Sequence, residues 1–589
     1  QVNQLVVEGD SSVEAAQARV DAEGKSFPTL KARLDEKETQ FSSQLAQITT
    51  NVKLFGAVGD GVTDDTQAIQ SALDFVSSSG GGSVYLPPGR YKVSSSLMID
   101  SNTTFFGSGM YSSVLFPEYQ GKDIFQNIIT INGSQENRKK GVALHDFGID
   151  GSDGQFHETE NRGLDIGQWA RIRLLFVDDF YASNIHYYHG SHLFHMQGCN
   201  NFVIENIFID YSFSAVHMVS TQEDNVNGII DKVTGTRMAT MVDFGGGGRD
   251  ILVSRIIGDA EGYVRNNEEA FDVGGAKNVT ISDSILSNFN DGATVKGESG
   301  KTWDNVKFDN VVFKGFKRFG IRATRGTESE SGRLIVSNTE FYSDEMGDNH
   351  YAIEVITGRP TVELENVFID VNGGGFHSYD IEKVVVNNLR IKAGKRGFYL
   401  SSPDIYTNGS YEIYGIQVES GEEGIALTNC LKGILSDFYI TDNTGYSLTV
   451  RGVTAPIIKN GLIEAVHGSA ILLEYRADNI DDLNGANGLN TYLSDVVVKD
   501  WGLSAQYRTG ITINVPDVTG SFKNLKLKGL SFEITSENNL QVGISWIGFE
   551  NGGLDYSIID ATFYKVYLPQ AGVNKKGDNV VENTVVIPR

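Results

Sequence analysis

Residues Asn51–Gly109 read NVKLFGAVGDGVTDDTQAIQSALDFVSSSGGGSVYLPPGRYKVSSSLMIDSNTTFFGSG. Gly56, Gly59 and Gly61 permit a tight turn after a short strand, and Asp64 followed by Gln67 has the spacing of a capping box that starts a helix. Ala68, Ile69, Ala72, Leu73 and Val76 then form one apolar face at helical spacing, and Gly80 to Gly82 end it. Val84, Tyr85 and Leu86 predict a strand, Pro87, Pro88 and Gly89 a turn, and Tyr91 to Val93 a second strand. A helix so placed covers the open end of whatever β structure follows, where bare strand edges would otherwise pair with other chains.

The rest of the chain supplies that β structure. Among 589 residues, glycine occurs 66 times and proline only 10, which suits a chain turning often between short strands. The polar-apolar-x-apolar pattern restarts at Asn201, Asn227, Asp250, Asn278, Asn305, Arg333, Thr361 and Lys383, in steps of 26, 23, 28, 27, 28, 28 and 22 residues. Segments such as NVTISDSIL, NVKFDNVVF, TVELENVFI and KVVVNNLRI alternate inward aliphatics with outward polar residues. A repeat of roughly 20–50 residues made of short strands signals a solenoid, whereas a β-propeller blade needs about 40 or more. Asn206, Asn310, Asn338, Asn366 and Asn388 recur where corners are expected, and asparagine tolerates the left-handed conformation a corner requires.

The first 50 residues are polar and rich in Glu, Gln, Lys and Ala, and read as helical. Leu34, Phe41 and Ile48 fall at heptad spacing, with Leu30 and Leu45 nearby, while Lys37 and Gln44 interrupt the seam. The segment is either a short oligomerising stalk or a helical linker. Beyond about residue 515 the repeat becomes irregular, and QVGISWIGFE and IIDATFYKVYLP read as strands of a C-terminal β region, either further coils or a small sandwich. The boundaries expected are therefore 1–50, 51–110, 111–515 and 516–589.

A formal charge of −26 repels a phosphate backbone over most of the surface, so nucleic acid is not an expected partner. No stretch approaches about 18 uninterrupted apolar residues, so no membrane span is expected. Cys199 and Cys430 cannot build a disulfide framework and read as small buried hydrophobes. The scattered histidines show no close ligand spacing, so no cofactor or metal site is indicated, although a divalent ion remains compatible with the chemistry.

FGAVGDGVTDDTQAIQSALD followed by GGGSVYLPPGRYKV resembles the opening of pectate-lyase-like right-handed parallel β-helix proteins, a group that includes many bacteriophage tailspikes. The resemblance implies an all-β fold: a right-handed, single-stranded parallel β-helix with an N-terminal helical segment and a capping helix. The upstream segment VEAAQARVDAEGKSFPTLKARLDEK is similar to the adaptor region of tail or pre-neck appendage proteins of phages of Bacillus-like hosts. That likeness implies a virion protein, homotrimeric, joined to other tail or collar proteins through its N-terminal segment.

Carboxylates concentrate in RNNEEAFDVGGAKNVTISDSILSNFNDGATVKGESG, Arg265 to Gly300. Glu269 and Asp291 are 22 residues apart, one solenoid turn, so both are expected on one face at adjacent levels. Glycosidic cleavage needs a proton donor and a second carboxylate, and repulsion between two neighbours would raise one pKa. The segment also resembles the active region of polygalacturonases, with motifs N-T-D-G-I-D and, one coil on, G-D-D-C-I-A-I-K. On that resemblance Glu269 and Asp272 take the first and last acids, and Asp291 the second acid of the pair, with Asn290 and Phe289 as departures. Phe319 stands in place of a histidine, and Arg322 where a basic substrate ligand is expected. The catalytic candidates are Glu269, Asp272 and Asp291; Arg322, Lys296 and Glu268 are candidate substrate ligands. The alternatives are solvated acidic turns or sugar binding without turnover.

A second cluster lies upstream, in Asp150, Asp153, His157, Glu158, Glu160, Asp165 and Trp169, with Asp178, Asp179, Tyr187, Tyr188 and His189 following. Trp169 and Tyr188 are the candidate aromatic sugar platforms there, against a purely structural loop-rich reading. No G-x-S-x-G elbow occurs, which disfavours an esterase. The functional expectation is attachment to a host surface glycopolymer and its cleavage, with wall teichoic acid first and an exopolysaccharide next. The rivals are a non-catalytic adhesin and a secreted polygalacturonase-like hydrolase.

Overall fold

The structure, a computed structural model, describes residues 18–37 except 23, 49–117, 127–151, 171–261, 268–324, 332–402 and 409–474 apart from isolated positions, then 491–500, 509–514 and separate segments between 522 and 587. The described chain is all-β apart from about 6% helix, and winds into a right-handed parallel solenoid of about 14 turns. Register matches the repeat read from sequence: Asn200 pairs with Val226, Arg249 with Lys277, Lys277 with Asp304, Arg333 with Thr361, and Thr361 with Lys383.

The cap forms from the glycine turn and one helix, Thr66–Ser78, which buries Ile69, Ala72, Leu73 and Val76 with Ala68 packed alongside. Its start differs from the capping box expected. Asp65 is the N-cap residue, and its carboxylate turns away to accept the N–H groups of Val58 at 2.6 Å and Gly59 at 3.0 Å. Asp64 accepts the Thr66 N–H at 3.1 Å and the Ser94 hydroxyl at 2.6 Å. Gln67 reaches Ser71 at 3.3 Å. The two acids hold the glycine turn and the following strand to the helix start, a tertiary demand that outcompetes the local cap.

Each coil has three faces, as strand Asn200–Val219 shows. Asn200 to Glu205 form the first face, Asn206 turns at φ 53°, Ile207 to Asp210 form the second, Tyr211 turns at φ 58°, and Ser212 to Val219 form the third. The asparagines predicted at corners are there: Asn206, Asn310, Asn338, Asn366 and Asn388 all have φ between 49° and 58°. They also stack. Asn388 donates to Asn366 at 2.9 Å and Asn366 to Asn338 at 3.2 Å, so each rung satisfies the amide of the next.

Inside, alternation fills the core with Val279, Ile281, Val306, Phe308, Phe313 and Phe341, all fully buried. The third-face strands open on small residues, Ala270, Gly292, Gly320, Ala352, Gly375, Gly397 and Gly424. At Gly292 a Cβ would lie 2.3 Å from the Gly320 carbonyl and 2.4 Å from the Phe313 ring, so nothing larger fits where the chain bends under its neighbour. Cys199 and Cys430 are buried, and burial pushes both thiols up to about 12, as suits packing rather than reactivity.

At the N-terminus residues 30–37 are helical, Leu30 and Leu34 are exposed, and Lys31 pairs with Asp35 at 2.7 Å. Phe41, Leu45 and Ile48 lie outside the described residues. Near the C-terminus, of the two alternatives, the described strands pair as further coils: Thr509–Asn514 with Val542–Ile547, and Ser531–Glu533 with Thr562–Tyr564, both parallel.

Candidate functional site

The outward residue at the centre of each third-face strand aligns with the one above. The column runs Arg173, His195, His217, Asp243, Asp272, Thr294, Arg322, Glu354, His377 and Tyr399, each the Cα partner of the next. Rungs are about 4.8 Å apart, so ten side chains from distant parts of the sequence stand in one line.

Its centre is a carboxyl cluster. Strand Glu269–Gly274 presents Asp272, whose Oδ2 accepts from Lys296 Nζ at 2.7 Å. Lys296 Nζ also lies 3.7 Å from Glu298 Oε2. Glu298 reaches inward because residue 274 is glycine: a Cβ there would lie 2.0 Å from Glu298 Oε2. One rung before Asp272, Asp243 meets His217 Nε2 at 3.6 Å.

Four carboxyls gathered around one ammonium cannot all ionise cheaply. Burial pushes the Glu269 carboxyl up to about 8, with the neighbouring Asp272 and a hydrogen bond to it adding to the rise. Asp243 is raised well above the ordinary aspartate range by burial and by Asp272 and Glu298, and Glu298 is raised for the same reasons. Burial opposes charge on Lys296, but Asp272, Glu298 and Glu269 outweigh it and raise its pKa. Asp272 Oδ1 and Glu298 Oε2 are buried acceptors that receive no hydrogen bond from a protein N–H. A carboxyl whose pKa burial raises, beside an acid bridged to a lysine, is an arrangement suited to acid-base chemistry.

Below it, three histidines stack. His195 Nδ1 lies 3.2 Å from His217 Nδ1, and the His192 and His217 rings are 4.6 Å apart. Burial lowers His192 well below the ordinary histidine range and His217 to about 3, so both are neutral near pH 7. Among the described residues no group of three or more His, Cys, Asp or Glu is arranged to hold a metal ion.

The candidates read from sequence fall into different settings. Glu269, Asp272 and Lys296 converge, with Glu268 adding to the charge around Glu269. Glu269 and Asp291 are Cα partners on adjacent rungs, as their spacing indicated, but their carboxyls have different company. Asp291 is nearly fully buried and takes a bidentate pair from Arg318, Nε at 3.0 Å and Nη2 at 2.7 Å, plus the Phe319 N–H at 3.3 Å. The group raising Glu269 is therefore Asp272, three residues along its own strand. Arg322 lies on the column, 3.2 Å from Glu354 and 4.8 Å above the Phe319 ring. Phe319, in the position of the family histidine, packs edge-on against His350.

Tyr188 stands on the second face, in register with Asp150 and Asp210, and so does not share a face with Glu269. His189 forms a corner, stacked on Tyr211 at 4.8 Å, Asp178 pairs with Arg138 at 2.7 Å, and Asp150 with Arg90 at 3.1 Å. Trp169, Asp153, His157, Glu158, Glu160 and Asp165 lie outside the described residues.

Asp243, Glu298, His217 and Glu354 were missed. The signal for most was present: LFHMQ, AVHMV, MVDFG, AFDVG, GIRAT, AIEVI, GFHSY and GFYLS are third-face strands with one polar residue locked between two inward positions. Aligning those five-residue units finds the column without coordinates.

The rhamnogalacturonase A/epimerase, pectate lyase-like family matches residues 49–317. Mannuronan C5-epimerase AlgE1 of Azotobacter vinelandii is 51% identical over 72 residues, 11% of this chain and 5% of that protein. The pre-neck appendage protein of Bacillus phage B103 is 34% identical over 113 residues, 19% of this chain and 12% of that protein. The chain thus spans a small part of the length of the curated relatives it matches. Among solved structures, ORF18 of Geobacillus virus E2 gives a TM-score of 0.40 at 16% identity, covering 60% of this chain and 65% of that one. The tailspike protein of E. coli bacteriophage HK620 gives 0.44 at 12% identity, covering 85% and 86%. Residues 49–317, the stretch similar to the pectate lyase-like family, hold the cap and every carboxyl of the cluster, and the coils after them continue the same stack.

Proposed function

We propose that this chain is a phage tail appendage, carried on the virion as a trimer, that binds a host surface glycopolymer along its third face and cleaves it at the carboxyl cluster. The observation that carries the reading is the carboxyl cluster on the third face: Lys296 Nζ grips Asp272 at 2.7 Å and lies 3.7 Å from Glu298, with Glu269, its carboxyl raised by burial, on the strand of Asp272. Glu269 donates the proton to the leaving oxygen, and Asp272 acts as the second carboxylate, activating water or attacking the sugar. Asp291 is a positioning residue, holding Arg318.

The bond favoured is glycosidic. A glycosidic linkage uses a proton held on Glu269 directly, at its leaving oxygen. The appendage role is supported by the similarity to the pre-neck appendage protein of Bacillus phage B103 and by the adaptor-like N-terminal segment.

Incubation with purified envelope polymers of a Bacillus-type host, followed by end-group analysis, tests the proposal. New reducing sugar ends that vanish in Glu269→Gln and Asp272→Asn support it. New phosphomonoester ends redirect it to teichoic acid, and unchanged chain length leaves an adhesin.

A further inference from the structure

Beyond Arg322 the third-face column turns aromatic. The Tyr351 and His377 rings lie 4.8 Å apart at 34°, and His377 and Tyr399 lie 5.1 Å apart at 9°. Glu354, His377 and Tyr399 occupy successive rungs, while Tyr351 begins its strand opposite Gly374. A Cβ on Gly374 would lie 2.3 Å from the Tyr351 ring, so the glycine is what lets that ring lie across the rung toward His377. Arg396 sits 5.1 Å over Tyr399 and pairs with Glu423 at 3.2 Å. Glu354 lies 3.4 Å from His377 Nδ1 and 3.2 Å from Arg322 Nε. Tyr379, two residues past His377 on the same strand, is exposed. Each guanidinium has its carboxylate, so the surface is charge-balanced and offers flat apolar faces edged by hydrogen-bonding groups. A pyranose ring has the same two-sided character, C–H faces with a hydroxyl rim.

We infer that Tyr351, His377, Tyr379 and Tyr399 form a distal platform for uncharged sugar units of the same polymer whose scissile linkage lies at Asp272. The inference rests on the proposed function. From Asp272 the register climbs through Thr294, Arg322 and Glu354 to His377, four rungs or about 19 Å, with Tyr399 one rung further. Only an oligomer that spans this distance engages both sites, so the platform selects long chains and fixes the size of the fragment released.

The test uses the full chain carrying Asp272→Asn and, as probe, size-fractionated oligosaccharides from the envelope polymer of a Bacillus-type host, with affinity measured by calorimetry. Affinity is expected to step up about tenfold once the oligomer reaches platform length, and the step to disappear when Tyr399→Ala or His377→Ala is added. Tyr379→Ala, at an exposed position, is expected to lower the step about threefold, and melting temperature checks that each variant is folded. Unchanged affinity for long oligomers in all three variants overturns the inference, as does equal weakening at every length. If Asp272→Asn still shortens the polymer, the catalytic reading fails, while the length step and its loss still decide the platform.

Discussion

Replacing Glu269 by glutamine removes a carboxyl that the site holds well above its usual range. The difference between an ordinary glutamic acid at 4.5 and one titrating near 8 corresponds to about 5 kcal/mol between the two protonation states. Because the folded pKa is raised, the folded chain keeps a proton that the unfolded chain has lost between pH 4.5 and 8. Stability from this group is complete below pH 4.5 and is lost as pH rises through 8. Glutamine mimics the protonated form and carries no such slope. Glu269→Gln should therefore match the parent near pH 4 and exceed its stability above pH 8, by up to about 5 kcal/mol. With an unfolding entropy of about 2.1 cal/mol/K per residue, that is about 4 °C in a chain of 589 residues. Asp243 and Glu298 are raised too, so part of the slope persists in the variant. Scanning calorimetry at pH 4.5, 6, 7.5 and 9 on both proteins measures it. A melting difference that does not change with pH refutes the claim that Glu269 is held protonated, and with it the proton donor of the mechanism.

Asp291→Ala should cost about 2–3 kcal/mol at neutral pH, seen as a lowered melting temperature, because it leaves Arg318 and the Phe319 N–H without their acceptor, while leaving the Glu269 slope intact. Asn366→Ala should cost about 2 kcal/mol by denaturant titration, since alanine disfavours φ 53° and severs the ladder to Asn338 and Asn388; Asn366→Gly should recover the conformational part and not the ladder. Gly274→Ala should displace Glu298 and lower cleavage of envelope polymer at least tenfold with a smaller effect on melting, whereas retained cleavage would show that Glu298 does not shape the site.

The parts of the fold legible in the sequence are those set by one coil at a time. Alternation, turn residues and the restart of the polar-apolar pattern report on a single rung, and the Asn200 to Val226 register follows from counting residues. The capping box failed because Asp64 and Asp65 answer to partners in the turn and in the next strand, such as Gly59 and Ser94, which local propensity does not see. The site was legible to the level of the backbone and no further. A spacing of 22 residues correctly stacks Glu269 on Asp291, but whether two carboxyls meet depends on which neighbour each finds. Asp291 found Arg318, from a turn whose length the repeat does not fix. Glu269 found Asp272 on its own strand, a pairing that alternation alone would have placed on opposite sides.

The third face carries its polar column at a cost that folding does not explain. Near-complete burial of His192, His195, His217 and Asp291, with two carboxylate oxygens of the cluster left without an N–H partner, removes polar groups from water in a chain whose neighbouring positions are filled by valine, isoleucine and phenylalanine. On the first and second faces, asparagine and aspartate ladders at the corners are satisfied rung to rung, beside exposed apolar residues such as Ile229, Leu252 and Ile285. A stack with so long an apolar core tolerates a few kcal/mol of local penalty, and such penalties gather where a protein needs a group in an unfavoured protonation state. That buried histidines and a carboxyl cluster gather on the third face, on and beside the column from His195 to Asp272, is the argument for function at this place.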